Sequence, residues 1–578
     1  MTKPDIAAPA QAPARDAAFE EALSLEHKGH ARAAEERYRA LLGRNPDHSG
    51  ALNQLSLICL AREEFEEAAR LLRRWIAREP NVPGAHNNLG IALNGLNRPA
   101  EAVAHFEKAL ALEPQRAEAH YNLGRAQQRL GRLAQARECY ERAIALRPDY
   151  AEANNTLAVL LAPSDPDEAL ACFRRAIAAR PEYADAHNNT GIVLQELGRH
   201  EEAVASYRRA LTLKPDHADA HNNLGLSLRD LNRHEEAVAS FEIAQAIKPD
   251  HVDAHVNEAL VRLALGDYAS GWKKYAWRLH TENFSKGKKR PAQPLWLGQW
   301  DISGKTILLH GEQGLGDTIQ FARFVPQVAR LGGKVILAVQ RPLTALMADL
   351  RGASVVRGQG DPVPPFDAFC PLPSLPLAFK TTLETIPADV PYLSAPSDRL
   401  AKWRPIVDAF PRPRVGLMWT RGGSHQDVRS LPLRLLLPLL ELRDIQFVAL
   451  QKELPDREAA LFQSTGMPSF LGEQLGDLAD TAAIIAMLDL VITIDTSVAH
   501  VAGALGKPMW VLLPFSADWR WLRARSDSPW YPTTRLFRQP APGDWQGVVT
   551  QVAAALRELR GSALAGESCF QSSSNASL

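Results

Sequence analysis

Small and large apolar residues recur at fixed intervals through the first half of the chain. Leu89-Gly90, Ala102, Phe106, Ala109 and Pro114 reappear as Leu123-Gly124, Ala136, Tyr140, Ala143 and Pro148, and again as Leu224-Gly225, Ala237, Phe241, Ala244 and Pro249. Within each set the spacing is helical, and a polar turn splits it into two helices. Pro46, Pro80, Pro114, Pro148, Pro181, Pro215 and Pro249 follow one another at 34 residues, with one interval of 33. A single hairpin cannot bury its own apolar face, so the hairpins must stack. Beyond residue 300 the pattern changes. Lys305–His310, Lys334–Gln340, Arg414–Trp419, Ile445–Gln451, Leu490–Ile494 and Met509–Leu513 are short apolar runs, too brief for helices and suited to strands. They alternate with helical stretches at Thr318–Leu331, Asp480–Leu488, Val498–Leu505 and Thr550–Leu559, which predicts a parallel α/β sheet.

The 34-residue hairpins resemble the tetratricopeptide repeat. About eight units are expected over residues 15–280, with a weak first unit carrying Ala34 and Tyr38 and a divergent last one from His251 to Leu279. The 33-residue unit has Pro163 and Pro166 where its neighbours have Leu-Gly-Arg, so its inter-helix turn is expected to be shortened. The aromatics Phe106, Tyr140, Tyr207 and Phe241 are expected to fill the gap between successive units.

Two polar columns run through the array. Asn88, Asn122, Asn189, Asn223 and Asn257 occupy one position of the first helix, with Gln54 and Thr156 in register. Such a ladder could hold an extended peptide by its backbone, or it could serve helix packing alone; a similar ladder in O-linked N-acetylglucosamine transferases points to the former. His86, His120, His187, His221 and His255 form the second column. Metal–nitrogen bonds of about 2 Å cannot be shared by residues a whole repeat apart, so these are read as interface histidines.

Apolar residues make up 46% of the chain and charged residues 23%, ordinary values for a globular protein. Lys+Arg and Asp+Glu number 66 each, so no global field favours nucleic acid. The five cysteines are scattered and lack metal-binding spacing, which suits a reducing compartment. Residues 1–15 lack the apolar core of a secretory signal, and no apolar run approaches a membrane span. A cytoplasmic protein without an integral membrane segment is expected.

The domain plan that follows is a tail at 1–14, repeats at 15–280 and a basic linker at 281–300 containing Lys286, Lys288, Lys289, Arg290 and Trp296. Two Rossmann-like lobes at 301–405 and 406–562 come next, then a Ser-rich tail at 563–578.

The second module carries two turns of chemical interest. Gly311-Glu-Gln-Gly314-Leu-Gly316-Asp317 follows the first strand. Its spacing does not match a dinucleotide fingerprint, and the second strand ends in Gln340-Arg341 rather than an acidic residue. Its glycines permit close approach to a ligand, and Asp317 could act as general base or simply cap the helix it begins. Asp495-Thr496-Ser497 follows the Leu490–Ile494 strand and opens a helix with His500 one turn further on. A helix starting there offers free N–H groups and partial positive charge to an anion such as a diphosphate. An aromatic loop, Trp519, Trp521, Trp530 and Tyr531, could stack on a base or sugar.

Gly314-Leu-Gly316-Asp317 with Pro326, and Asp495-Thr496-Ser-Val-Ala-His500 with Gly503, resemble the lipopolysaccharide heptosyltransferases, glycosyltransferase family 9. The resemblance covers roughly residues 300–560. It implies a two-lobed GT-B fold and inverting transfer from a nucleotide-diphosphate sugar without a metal or other cofactor. The proposed base maps to Asp317, and the diphosphate-binding turn to Asp495, Thr496 and Ser497, with His500 behind it. A basic donor residue maps to Arg421 or Arg429, and Gly314, Gly316 and Lys452 complete the expected donor site. Ser497 stands where that family usually has Gly. Repeats before a two-lobed transferase resemble the architecture of O-linked N-acetylglucosamine transferases, which implies a protein acceptor. Two alternatives stand beside it: a non-catalytic repeat scaffold with a degenerate sugar-nucleotide domain, and a transferase for a lipopolysaccharide or glycan acceptor.

Overall fold

In a computed structural model of the chain, sixteen α-helices follow one another from Ala17–His27 to Tyr268–Tyr275 as successive antiparallel hairpins. The structure describes residues 17–281, 291–421, 427–454, 458, 461 and 469–564, with side chains to 559. The expected N-terminal tail, the C-terminal one from residue 565, the basic residues 286–290 and the loop 422–426 lie outside the described residues; residues 563 and 564, expected in the tail, instead end the Trp545–Leu564 helix. The chain divides into two compact units, Met1–Asp216 and His217–Leu578.

The sequence pattern accounts for the hairpins almost residue by residue. A Cβ added at Gly90, Gly124, Gly191 or Gly225 would sit 2.5 to 2.6 Å from the ring of Phe106, Tyr140, Tyr207 or Phe241 respectively. Each ring therefore closes over the glycine of its own hairpin, rather than only filling the gap to the next unit as the sequence suggested. The turn between helices needs a left-handed residue, supplied by Gly131 and Gly198 and, at the equivalent position, by Asn97 and Asn232. In the short unit the first helix ends early, at Leu161, and Asp165 caps the second by accepting from Glu168 N–H.

The histidine column has a specific structural task. His86, His120, His187 and His255 each donate Nε2–H to the carbonyl of the proline six residues earlier, at 2.9, 3.0, 3.1 and 2.9 Å. Proline ends one hairpin, and the imidazole ties that end to the next helix.

The asparagine ladder is also largely spent on packing. Asn122, Asn189 and Asn257 donate Nδ2–H to Asn87, Asn155 and Asn222 of the preceding repeat, at 3.1, 3.2 and 3.0 Å. Asn88 is fully buried and Asn122 nearly so, which removes both from reach of a peptide. Asn189, Asn223 and Asn257 stay half-buried. Buried amides must find partners, and identical neighbours one repeat away supply them.

The second unit holds the last helix pairs and two parallel sheets. The first sheet comprises β1 (Thr306–His310), β2 (Lys334–Val339), β3 (Ala353–Gly358) and β4 (Ala368–Pro371), in the order β3-β2-β1-β4. The second comprises β5 (Arg414–Met418), β6 (Gln446–Ala449), β7 (Ser469–Phe470), β8 (Leu490–Ile494), β9 (Met509–Leu513) and β10 (Thr534–Arg538), in the order β10-β9-β8-β5-β6-β7. All pairings are parallel. In each sheet the chain winds outward from its first strand, then returns to that strand's other side. That reversal creates a crevice at the carboxyl ends of β1 and β4, and of β5 and β8.

β8 and β9 fall where the apolar runs place them and are buried throughout. The helix expected over Thr318–Leu331 is instead two, Leu315–Ala322 and Val325–Arg330, because Pro326 lacks an N–H and is accommodated only in a new first turn.

The expected boundary at the linker is not where the compact units part. Tyr268, Trp272, Trp296, Trp519, Trp521, Trp530 and Tyr531 share one buried core with Phe321 and the first sheet. Trp530 Nε1 donates to Tyr268 Oη (2.9 Å) and Trp272 Nε1 to the Thr381 carbonyl (3.1 Å). The aromatic loop is therefore interior, not a stacking surface for a base or sugar.

Candidate functional site

The turn after β1 is held from both sides. Gln359 Nε2 donates to the Gly311 carbonyl (2.8 Å), and Gln340 Nε2 to that of Gln313 (2.6 Å). Gln340 Oε1 in turn accepts from Thr318 Oγ1 (2.9 Å), so the residue standing in place of an acidic strand end braces the loop. The last repeat grips the same turn. Arg278 pairs with Glu312 at 2.6 Å in a buried site, donates to Ser374 Oγ (2.6 Å), and lies over the Tyr275 ring. Tyr275 and Gln313 are hydrogen-bonded at 2.9 Å.

Asp317 is engaged twice. Its Oδ2 accepts from Gly314 N–H at 2.9 Å, capping the Leu315–Ala322 helix, and its Oδ1 accepts from Arg520 Nη2. Gly316, one residue before it, meets the helix after β8 directly: a Cβ there would lie 2.5 Å from His500 Cδ2.

On the other side, Thr496 Oγ1 accepts from Val498 N–H (3.3 Å) and starts the Ser497–Ala504 helix, whose first residue is half-buried. His500 is buried, shares a hydrogen bond through Nδ1 with Tyr531 Oη (2.9 Å) and stacks on Trp521. Burial, reinforced by the Arg520 and Arg323 charges, pushes its pKa well below the usual imidazole value, so the ring is neutral. Gly503 exists to admit the Tyr531 ring, which a Cβ would meet at 2.3 Å.

Asp495 is buried beside Asp518. Burial and the Asp518 charge push its carboxyl up to about 7, against opposing contributions from Arg520, Trp521 and Arg421. Among the described residues the Trp521 indole N–H has no hydrogen-bond partner at ordinary distance, although it lies close enough to Asp495 to favour the carboxylate.

Arg421 and Arg429 both pair with Asp427, at 3.3 and 3.1 Å. The Arg421 charge is among those that act on Asp495. Lys452 turns away, donating to the Gly476 carbonyl (3.3 Å) on the β7 side of the sheet.

Gly314, Gly316, Asp317, Asp495, Thr496, Ser497 and His500 are thus brought to the facing ends of two helices, with Arg421 nearby. Sequence reasoning missed Arg520, hidden in an aromatic loop. Its Nε donates to Gln320 Oε1 (2.6 Å), Nη1 to Asp518 Oδ1 (2.8 Å) and Nη2 to Asp317 Oδ1, over the Trp519 ring. The one available signal was a lone Arg in an Asp-Trp-Arg-Trp run. Chemically, the arrangement sets a carboxylate against a guanidinium beside the start of the Ser497–Ala504 helix.

Tetratricopeptide repeat models match residues 19–86, 159–218, 191–252 and 222–271, and a second such model matches 93–160. Protein FlbA of Caulobacter vibrioides is 28% identical over 330 residues, 53% of this chain and 55% of that protein, so the chain spans about half the length of this relative. Among solved structures, YrrB, described as a TPR protein with an unusual peptide-binding site, is 24% identical over 32% of this chain and 96% of its own, with a TM-score of 0.29. A thermophilic TPR protein of Thermus thermophilus is 30% identical over 32% of this chain and 100% of its own, with a TM-score of 0.27. No helix among the described residues is long and apolar enough to cross a membrane. The pattern read from the sequence, the helix hairpins and the matching models agree: the chain carries an array of tetratricopeptide repeats over roughly its first 270 residues, followed by a part with two parallel sheets.

Proposed function

We propose that the sheet-bearing part is a GT-B-type glycosyltransferase that moves a sugar from a nucleotide-diphosphate donor to a protein acceptor carried by the repeats. One observation carries the reading. Both sheets reverse their winding at the first strand, and the turn after β1 meets the helix after β8, Gly316 against His500, and the loop after β9, Asp317 against Arg520. Ligands of such sheets lie at these crevices. In this scheme the donor diphosphate rests at the Thr496–Ser497 helix start, with Arg421 beside it. The acceptor oxygen attacks the anomeric carbon from the opposite side, Asp317 takes its proton, and the bond to the diphosphate breaks with inversion. Helix N–H groups and guanidinium charge stabilise the leaving diphosphate, so no metal is required. Asn223 and Asn257, half-buried ladder members of the sheet-bearing unit, would contact the acceptor peptide.

A non-catalytic scaffold is the second reading, favoured by the double engagement of Asp317. Calorimetry of the full chain against UDP, GDP, CDP and ADP, with Thr496→Val/Ser497→Val as control, separates them. Binding of one nucleotide that the control abolishes is expected. Given a donor, Asp317→Asn should lower turnover by about 100-fold or more; unchanged turnover would remove Asp317 from the chemistry.

A further inference from the structure

Asp317, the base of the proposed transfer, is tied through Oδ1 to the Arg520 guanidinium. The same guanidinium has capacity to spare. Arg520 has five N–H donors, and among the described residues its three hydrogen bonds to Gln320, Asp518 and Asp317 leave one N–H on each terminal nitrogen. Its side chain is 11% exposed, so it is reachable, and Gln320, Asp518 and the Trp519 face fix its direction. Its charge is felt at both Asp495 and His500, the residues flanking the start of the second helix. Two terminal nitrogens presented together match phosphate oxygens.

We propose that Arg520 is a ligand of the donor diphosphate, and that its pairing with Asp317 is a latch which the donor opens. The inference rests on the glycosyl-transfer reading. An incoming diphosphate takes the terminal nitrogens of Arg520 and displaces Asp317 Oδ1, while Asp518 and Gln320 keep the guanidinium in place. Released from Arg520, Asp317 Oδ1 is free to face the acceptor hydroxyl only when a donor is present, which suppresses acceptor activation without donor.

The test is calorimetric titration of the full chain with the nucleoside diphosphate that binds best among UDP, GDP, CDP and ADP. Arg520→Gln should weaken binding by about tenfold or more, and Arg520→Lys by less. Asp317→Asn should tighten it several-fold, because nothing then competes for Arg520. The decisive variant is Arg520→Gln/Asp317→Asn. If Asp317 acts through Arg520, the tightening disappears in that background; if it acts only as a nearby negative charge, the tightening persists and the latch is wrong. An Asp317→Asn chain that binds nucleotide no better than the unaltered one also overturns the proposal, while leaving the donor-site reading intact. Absence of nucleotide binding to the unaltered chain fails the donor-site reading itself, and the latch with it. Far-ultraviolet circular dichroism checks that each variant is folded, and Arg520→Lys, which keeps the charge, decides the case should Arg520→Gln unfold.

Discussion

Gly316→Ala puts the convergence of the two turns to a direct test. A Cβ at this position would lie 2.5 Å from His500 Cδ2, where carbon atoms ordinarily rest about 3.5–4 Å apart. A gap of at least an ångström must open somewhere. The imidazole cannot easily give way: it is buried, tied to Tyr531 Oη at 2.9 Å, and flat against Trp521. The Leu315–Ala322 helix must move instead, and with it Asp317. Overpacking of this kind costs about 1–3 kcal/mol. Alanine in a helix recovers up to about 1 kcal/mol of backbone propensity, so a net loss of up to about 2 kcal/mol is expected. Urea unfolding of the full chain, followed by circular dichroism, reads it. His500→Ala removes the obstructing ring, so the double variant should show coupling of about 1 kcal/mol or more between the two sites. Gly314→Ala is the control, since a Cβ there meets only the Asp317 carboxylate, at 3.1 Å. Strictly additive effects in the Gly316→Ala/His500→Ala double variant would refute the packing argument and with it the meeting of the turns.

Two further outcomes follow from buried charge. Arg278→Ala removes the ion-pair partner of Glu312 in an interior site and should cost about 3–5 kcal/mol by urea unfolding, whereas Arg278→Met/Glu312→Leu should cost far less; equal losses would show that the buried pair is not what sets the cost. Asp495 has its carboxyl raised from 3.8 to about 7 on folding, so the folded chain holds that proton more tightly than the unfolded one between these values. Stability should therefore fall as pH rises through about 4 to 7, and Asp495→Asn should flatten that slope by at most about 4 kcal/mol. An identical pH profile in the variant would count against the raised carboxyl.

Much of the fold was legible because its determinants are local. The glycine and aromatic that lock each hairpin, Gly124 and Tyr140 for instance, are 16 residues apart, and the histidine clip reaches back only six. Both recur with the period, so repetition exposed them. β8 and β9 were legible because a strand buried on both faces is apolar at every position. β3 and β10 escaped because each is an alternating or half-exposed strand, and β4 is only four residues set among prolines.

The sequence by itself determined the repeats, the parallel α/β character of the second part, and the two turns where chemistry was expected. Only the tertiary structure decided what those turns touch. Asp317 and Arg520 are 203 residues apart and Tyr268 and Trp530 are 262 apart, so no period or local propensity links them. An exposed aromatic loop and a buried one read identically until their partners are known, and a ladder of amides looks available until its neighbours are found to have claimed it. Local rules specify the conformation of a segment; burial and pairing depend on what the rest of the chain brings alongside.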